Sequence, residues 1–305
     1  MAPPTAYVSS ATGTQGGAVA RQLRALGWGV HATTRNTTSA AALALSAIGV
    51  RVSRGDWDDK AALAASLAGC QKVFLNLFPD LQNPTRETQQ AEAILDLAKA
   101  AGVTQVVYSS VFPARPGGAG DNDLIARVRA GKAAIERAVL ASGLAAATVL
   151  QPGFFMANFL LPKGAFYFPG VSETGLFTVA FHPDTQLPLT DHEDIARFVV
   201  AAFQDPERFG GETVRLASEV VEFQKVVRLL AEATGRNIRA TYLSDEEARA
   251  QTATNPMLGS QITARGMVEL LDLEKVRSWG IPLGSFAEFL GREKAGVEET
   301  YRGPK

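Results

Sequence analysis

The sequence predicts a doubly wound parallel α/β sheet followed by a second, smaller C-terminal α/β subdomain. Three observations carry this. From Ala6 to about Leu150, short β-branched or apolar runs alternate with longer Ala/Leu-rich segments of helical period. A glycine-rich turn joins the first run directly to the first helical segment. After Pro152 the rhythm changes to Phe-, Pro- and Gly-rich sequence. Strand and helix in alternation make crossover units, whose strands lie parallel with helices covering the sheet.

The expected strands are residues 7–9, 29–34, 50–53, 73–77, 105–109 and 147–151, and the expected helices are 16–26, 39–47, 60–67, 85–101 and 123–142. Each helix closes near a glycine, at Gly27, Gly49, Gly69, Gly102 and Gly143, where a left-handed cap costs little. The boundary is expected at residue 152, giving domains 1–152 and 153–305, with some later segments returning to the first sheet. In the second part, 191–203, 221–234, 259–273 and 282–292 read as helices, 213–216 as a strand, and 296–305 as a polar, disordered tail.

At 305 residues the chain is long enough for one large domain or two modest ones. With 30 Lys+Arg against 31 Asp+Glu, it lacks the basic excess of a nucleic-acid or anionic-membrane binder. The single cysteine, Cys70, excludes an internal disulfide and a four-thiolate zinc site, and fits a reducing, cytoplasmic setting. No window approaches the roughly 20 apolar residues of a membrane span, and the start Met-Ala-Pro-Pro does not read as a signal peptide, so the mature chain is expected to begin near Met1. The histidines do not form a spaced ligand set, and no metal is expected; His192, between Asp191 and Glu193, reads as part of a helix cap.

The glycine turn, Ser10-Ala11-Thr12-Gly13-Thr14-Gln15-Gly16-Gly17, has the place and composition of a dinucleotide pyrophosphate site. Gly13 lets the backbone approach phosphate oxygens, Gly16 or Gly17 lets the helix pack on the strand, and the helix N-terminus offers free N–H groups and a positive dipole end. A plain strand–turn–helix also uses glycine, so position adds weight that the motif lacks alone. The second strand ends in Arg35-Asn36, where an acid would accept from a ribose 2′-hydroxyl; a guanidinium there pairs instead with a 2′-phosphate, favouring NADP(H), or is a solvated loop arginine. Asp56 and Trp57, after the third strand, suit an adenine amino group and ring, or Asp58 or Asp59 caps the next helix.

Taken with Val107-Tyr108-Ser109-Ser110, Gly131-Lys132, Pro152-Gly153-Phe154-Phe155-Met156-Ala157-Asn158 and, more weakly, the downstream run 189–196, these motifs resemble the NmrA-like family of atypical short-chain dehydrogenase/reductases. The resemblance implies a Rossmann-type domain with NADP(H) in its cleft and a smaller C-terminal domain. It places Gly13, Thr14, Gln15 and Gly16 at the pyrophosphate, Arg35 at the 2′-phosphate, and Lys132, Phe155 and Asn158 by the nicotinamide ribose, with Thr12 and Asn36 counted among the cofactor-binding residues. Ser10 stands where relatives begin the turn with glycine, leaving its hydroxyl as a possible phosphate donor.

A typical short-chain dehydrogenase carries Tyr-x-x-x-Lys on a helix, so that the cation lowers the phenol pKa for proton transfer. Here Val128 stands four residues before Lys132, so the usual acid is missing. Lys132 reads as a ribose-binding or catalytic group, or as an exposed lysine paired with Glu136. Along the fifth strand, Tyr108 and Ser110 should face one way and Ser109 the other, with Ser110 toward a substrate. Phe154, Phe155, Phe159, Phe166, Tyr167 and Phe168 read equally as an apolar substrate wall or as core. His182 reads as a cleft residue or as a surface or core histidine, and the loop 111–122 as a lid or a surface loop.

Two functions remain open. One is an NADPH-dependent oxidoreductase that reduces a small, partly apolar carbonyl, imine, enone or quinone by hydride transfer. The other is a non-catalytic NADP(H)-sensing regulator that binds a protein partner, which the missing tyrosine favours.

Overall fold

The computed structural model describes residues 3–83, 85–113 and 123–303. Among these, the chain divides into two compact units, Met1–Val111 with Arg127–Gln151 and His192–Val214, and Phe112–Ala126 with Pro152–Asp191 and Arg215–Lys305. Of the lid segment expected at 111–122, residues 114–122 lie outside the described residues.

The first unit is the doubly wound sheet. Its elements are β1 (Thr5–Val8), α1 (Thr14–Ala25), β2 (Gly29–Thr34), α2 (Ala40–Ala47), β3 (Arg51–Arg54), α3 (Lys60–Leu67), β4 (Lys72–Leu75), α4 (Arg86–Ala100), β5 (Gln105–Ser109), α5 (Asp123–Leu140) and β6 (Ala146–Pro152). β1 pairs in parallel with both β2 and β4, and the strand order places β1 in the middle of the ladder formed by β6, β5, β4, β1, β2 and β3. The five helix-ending glycines all have φ between 73° and 85°, left-handed as the sequence predicts. One face of the sheet, with Tyr7, Val73, Val106, Tyr108 and Val149, shares a core with Leu63 of α3, Ile94 of α4 and Ile135 of α5.

The second unit opens with β7 (Phe154–Phe155), a 3₁₀ turn at Met156–Phe159, α6 (Lys163–Tyr167), α7 (Val171–Thr174), β8 (Leu176–Val179) and β9 (Gln186–Thr190). The chain then returns to the first unit with α8 (His192–Gln204) and α9 (Pro206–Phe209). α8 packs on α1, where Gln22 Nε2 donates to the Glu193 carbonyl and carboxylate at 3.0 and 2.7 Å. β10 (Thr213–Leu216) adds to the ladder beside β6. The remaining elements are β11 (Glu219–Glu222), α10 (Phe223–Thr234), β12 (Arg239–Tyr242), α11 (Asp245–Gln251), α12 (Pro256–Ala264), α13 (Leu273–Ser278), α14 (Phe286–Arg292) and α15 (Lys294–Thr300).

Several expectations for this half are corrected. Residues 219–222 form a strand paired with β9, so the helix expected from 221 starts at Phe223. The helix expected over 259–273 is α12 followed by a 3₁₀ turn at Met267–Leu270, with Gly266 between them. α14 begins only at Phe286, where Ser285 and Glu288 form a reciprocal cap. The tail expected to be disordered contains α15. Val297 and Tyr301, one turn apart, are both 2% exposed, and Tyr301 Oη donates to the Phe159 carbonyl at 2.8 Å. Two apolar residues in ten make too weak a periodic signal to announce a helix, yet both are buried on α15 and the residue after it.

The turn after β1 is the tightest backbone contact of the first unit. A Cβ on Gly16 would lie 2.4 Å from the Ser10 carbonyl oxygen and 2.7 Å from that of Ser9, against backbone that cannot rotate away. Ser10 itself has φ 51°, and its carbonyl accepts from Gly13 N at 2.8 Å.

Two outcomes are expected. Gly16→Ala should destabilise the protein by about 1–3 kcal/mol or more in a urea melt, because the turn must open to admit the methyl. Tyr301→Ala should cost about 3–5 kcal/mol, the loss proper to a buried ring, where a disordered tail would show almost none.

Candidate functional site

The C-terminal ends of β1 to β4 surround a cleft of about 490 Å³. This is where an open parallel sheet places its ligands, because loops diverge there and helix N-termini converge. The turn after β1 contributes Ser10, Thr12 and Gly13; the end of β2 contributes Thr33, Thr34 and Arg35; and the turn after β3 contributes Asp56, Trp57 and Asp58. The segment after β4 and the start of α4 complete it with Phe78, Asp80, Arg86 and Gln90.

The N-terminus of α1 is built for an anion. No side chain caps it and its first turn holds no carboxylate, so its leading amides and dipole are open to a negative group. The Ser10 hydroxyl is not spare: it donates to the Asn76 carbonyl at 2.7 Å, pinning the turn to the segment after β4. Gln15 accepts from Ser109 Oγ at 2.7 Å and so ties α1 to the end of β5. Thus Thr14, Gln15 and Gly16 shape the turn, while Ser10, Thr12 and Gly13 line the cleft.

The two guanidinium groups of the cleft differ. Arg86 bonds Asp58 at 2.5 Å and Asp80 at 3.1 Å, and Gln90 also donates to Asp58 at 3.0 Å. These bonds hold the Asp58 carboxyl below the usual range, and the Asn83 amide followed by Arg86 does the same for Asp80. Arg35 is exposed and has no ion-pair partner among the described residues. Asn36 is not part of the lining; its side-chain oxygen accepts from Thr38 N at 2.9 Å and Thr38 Oγ1 at 2.8 Å, making the turn into α2. Asp56 accepts from the amides of Asp58 and Asp59 at 2.9 and 3.0 Å, and the helix cap itself is Asp59, which accepts from Ala62 N at 3.0 Å. Trp57 lines the cleft and packs on the sheet core. Phe78 is 73% exposed, an apolar ring presented to the cleft.

Deeper in the same unit lies Lys132, on α5. It is 5% exposed, and its Nζ donates to Glu87 Oε1 at 2.5 Å and to the Leu77 carbonyl at 2.9 Å. The surface pair with Glu136 does not form; Glu136 accepts from Gln151 Nε2 at 2.9 and 3.1 Å. Burial pushes the Lys132 pKa down while the Glu87 carboxylate pushes it back up. The Tyr108 ring centroid is 5.8 Å from Nζ. Burial, then the charge of Glu87, raise the phenol, so Tyr108 is a neutral hydroxyl at ordinary pH. The Tyr108 and Ser110 hydroxyls are buried without a hydrogen-bond partner among the described residues. Ser109 turns the opposite way, toward Gln15, as strand alternation requires.

The other singled-out residues lie in the second unit. Phe154, Phe159 and Phe168 are core, with ring centroids 5.6 Å apart for Phe154–Phe159 and 5.3 Å for Phe159–Phe168. Phe155 is half-buried, with Lys163 Nζ 5.5 Å from its ring centroid, and Asn158 is buried. The His182 side chain is 53% exposed, 3.8 Å from Asp245. Cys70 is buried and its thiol is pushed up to about 11, so it is protonated near neutral pH. Among the described residues there is no cluster of three or more metal-ligating side chains, and no helix is long and apolar enough to cross a membrane.

Sequence reasoning missed the whole contribution of the segment after β4 and the start of α4, namely Phe78, Arg86, Glu87 and Gln90. The available signal was topological: these residues follow the carboxyl end of the strand beside β1.

Comparison with known proteins accords with this geometry. The profile of the NmrA-like family matches residues 4–276. The chain is 30% identical over 244 residues to an NAD(P)H azoreductase of Xenophilus azovorans, covering 79% of this chain and 78% of that protein. Its fold is similar to that of an NADPH-dependent quinone oxidoreductase of Escherichia coli crystallised with NADPH, with TM-score 0.69, 23% identity, and 94% and 99% of the two chains covered. It is also similar to NmrA, a negative transcriptional regulator crystallised with NADP, with TM-score 0.63, 18% identity, and 100% and 93% covered. A parallel sheet of this order, a cleft lined by the turn before an uncapped helix and by an arginine without an ion-pair partner among the described residues, and a family match over most of the chain lead to one statement: the protein belongs to the NmrA-like family.

Proposed function

We propose that the protein is an NADPH-dependent oxidoreductase acting on a small, partly apolar acceptor such as a quinone, enone, imine or carbonyl compound. The observation that carries the reading is the charge layout of one cleft: an uncapped helix N-terminus at one side and, at the end of β2, an arginine with no ion-pair partner among the described residues. The residues fit a phosphorylated dinucleotide. The α1 amides would hold the pyrophosphate, Arg35 the 2′-phosphate, and Trp57 and Phe78 the faces of the adenine. Asp56 would accept from the adenine amino group, and Arg86 is less available for phosphate because two carboxylates already hold it.

When bound, the nicotinamide supplies a hydride to the acceptor, and solvent supplies the proton that completes the two-electron reduction. Lys132 would donate to a hydroxyl of the nicotinamide ribose, and Ser110 to the acceptor. Tyr108 does not replace the missing helix tyrosine: the Glu87 carboxylate cancels the activation that a neighbouring ammonium would give a phenol. The relative named as an azoreductase and the quinone oxidoreductase of the same fold favour reduction over sensing.

A second reading, an NADP(H)-responsive regulator with a protein partner, draws on Val128 in place of tyrosine and on the fold likeness to NmrA. The assay is NADPH oxidation followed by absorbance against quinones, azo dyes, enones, imines and aldehydes. Turnover with one class supports the enzyme; NADPH binding without turnover on any of them supports the regulator.

Arg35→Ala should weaken NADPH binding by roughly tenfold to a hundredfold, the value of charge-assisted bonds to one phosphate, and leave NADH binding nearly unchanged in fluorescence titrations. Equal losses for both nucleotides would remove Arg35 from the 2′-phosphate.

A further inference from the structure

We propose that Glu87 is a positioning residue for Lys132, holding its ammonium charged and turned so that a single N–H is left for the nicotinamide-ribose hydroxyl. The proposal rests on the reading of Lys132 just given and adds to it a residue from a different helix, for which the family motifs assign no role.

The argument begins with donor arithmetic. A lysine ammonium has three N–H groups. One goes to Glu87 Oε1 at 2.5 Å and one to the Leu77 carbonyl at 2.9 Å, and the third has no acceptor among the described residues. Two fixed acceptors define the direction of the third donor, which a solvated lysine with four free torsions cannot do. The site is built for this: the side chains are 6% and 2% exposed. Taking two charges out of water gains little stability compared with apolar packing of equal volume, so a pair this deep is better explained by orientation than by stability.

The charges around Nζ come from three elements. Glu87 stands in the first turn of α4, where the helix dipole favours a carboxylate. Glu136 lies on α5 itself and acts only through its charge, since its oxygens are taken by Gln151. Tyr108, on β5, is neutral. Glu87 is therefore the main force opposing the desolvation of the ammonium. The pair also adjoins the cleft through the chain: Leu77 precedes Phe78 and Glu87 follows Arg86, both of them lining residues.

The test is NADPH affinity of the full chain by fluorescence titration between about pH 7 and pH 9, above the second ionisation of the 2′-phosphate, and it needs no acceptor. In the wild type any alkaline fall should come at higher pH than in Glu87→Gln, because the Glu87 carboxylate raises the Lys132 pKa that burial lowers. In Glu87→Gln the folded-state pKa of Lys132 is lowered further, so the ammonium is present at low pH and lost as pH rises. Affinity should then fall about tenfold or more toward the alkaline end and recover on acidification. Lys132→Met should be weak and flat throughout. A Glu87→Gln profile parallel to the wild type would overturn the proposal, because a purely structural loss lowers stability without an alkaline limb. If Lys132→Met binds NADPH as the wild type does, the reading of Lys132 fails instead, and this proposal with it. Should Glu87→Gln not fold, Glu87→Asp carries the test. It keeps the charge one methylene short, so its profile should keep the wild-type shape while affinity drops about threefold to tenfold; unchanged affinity overturns the proposal.

Discussion

The closeness of Gly16 to the Ser9 and Ser10 carbonyls is the contact on which the cleft depends. It allows α1 to start directly above the end of β1, so that its unbonded amides face outward from the sheet rather than into a neighbouring loop. Ser10 absorbs the resulting bend in the left-handed region, a conformation that costs a non-glycine residue roughly 1 kcal/mol. Its hydroxyl bond to Asn76 and the Gly13 bond to its carbonyl offset that cost. Ser10 is thereby used as a fastener between β1 and the segment after β4.

The two arginines that line the cleft differ in what holds them: Arg86 is held by two carboxylates and Arg35 by none among the described residues. An anion arriving at Arg86 would have to displace Asp58 or Asp80, whereas one arriving at Arg35 displaces only water. The reverse holds at Lys132, where burial makes an unpaired charge costly and Glu87 and the Leu77 carbonyl hold the ammonium.

The sheet was legible because its signals are local. Strand and helix periods, and a glycine at each helix end, locate β1 to β6 within a few residues. The cleft residues next to strand ends, Gly13, Arg35 and Asp56, were legible for the same reason. Glu87 was not: a glutamate near a helix start reads as a solvated cap, and nothing at position 87 reveals a lysine 45 residues away. The second unit resisted because its core is held by long-range aromatic contacts. Phe159 stacks on Phe168 and meets Phe286 at 5.4 Å, a pairing that no periodicity anticipates. The end of the chain was misread for want of one bond, from Tyr301 to Phe159.

Arg86 and Glu87 are consecutive residues with opposite charge and opposite neighbours. The first reaches the acids of the outer cleft and the second reaches the inner ammonium. A shift or unwinding of the leading turn of α4 would move both at once. The outer recess and the interior cation are in this sense geared together by a single peptide unit, and evolution could not readily retune one of them without disturbing the other.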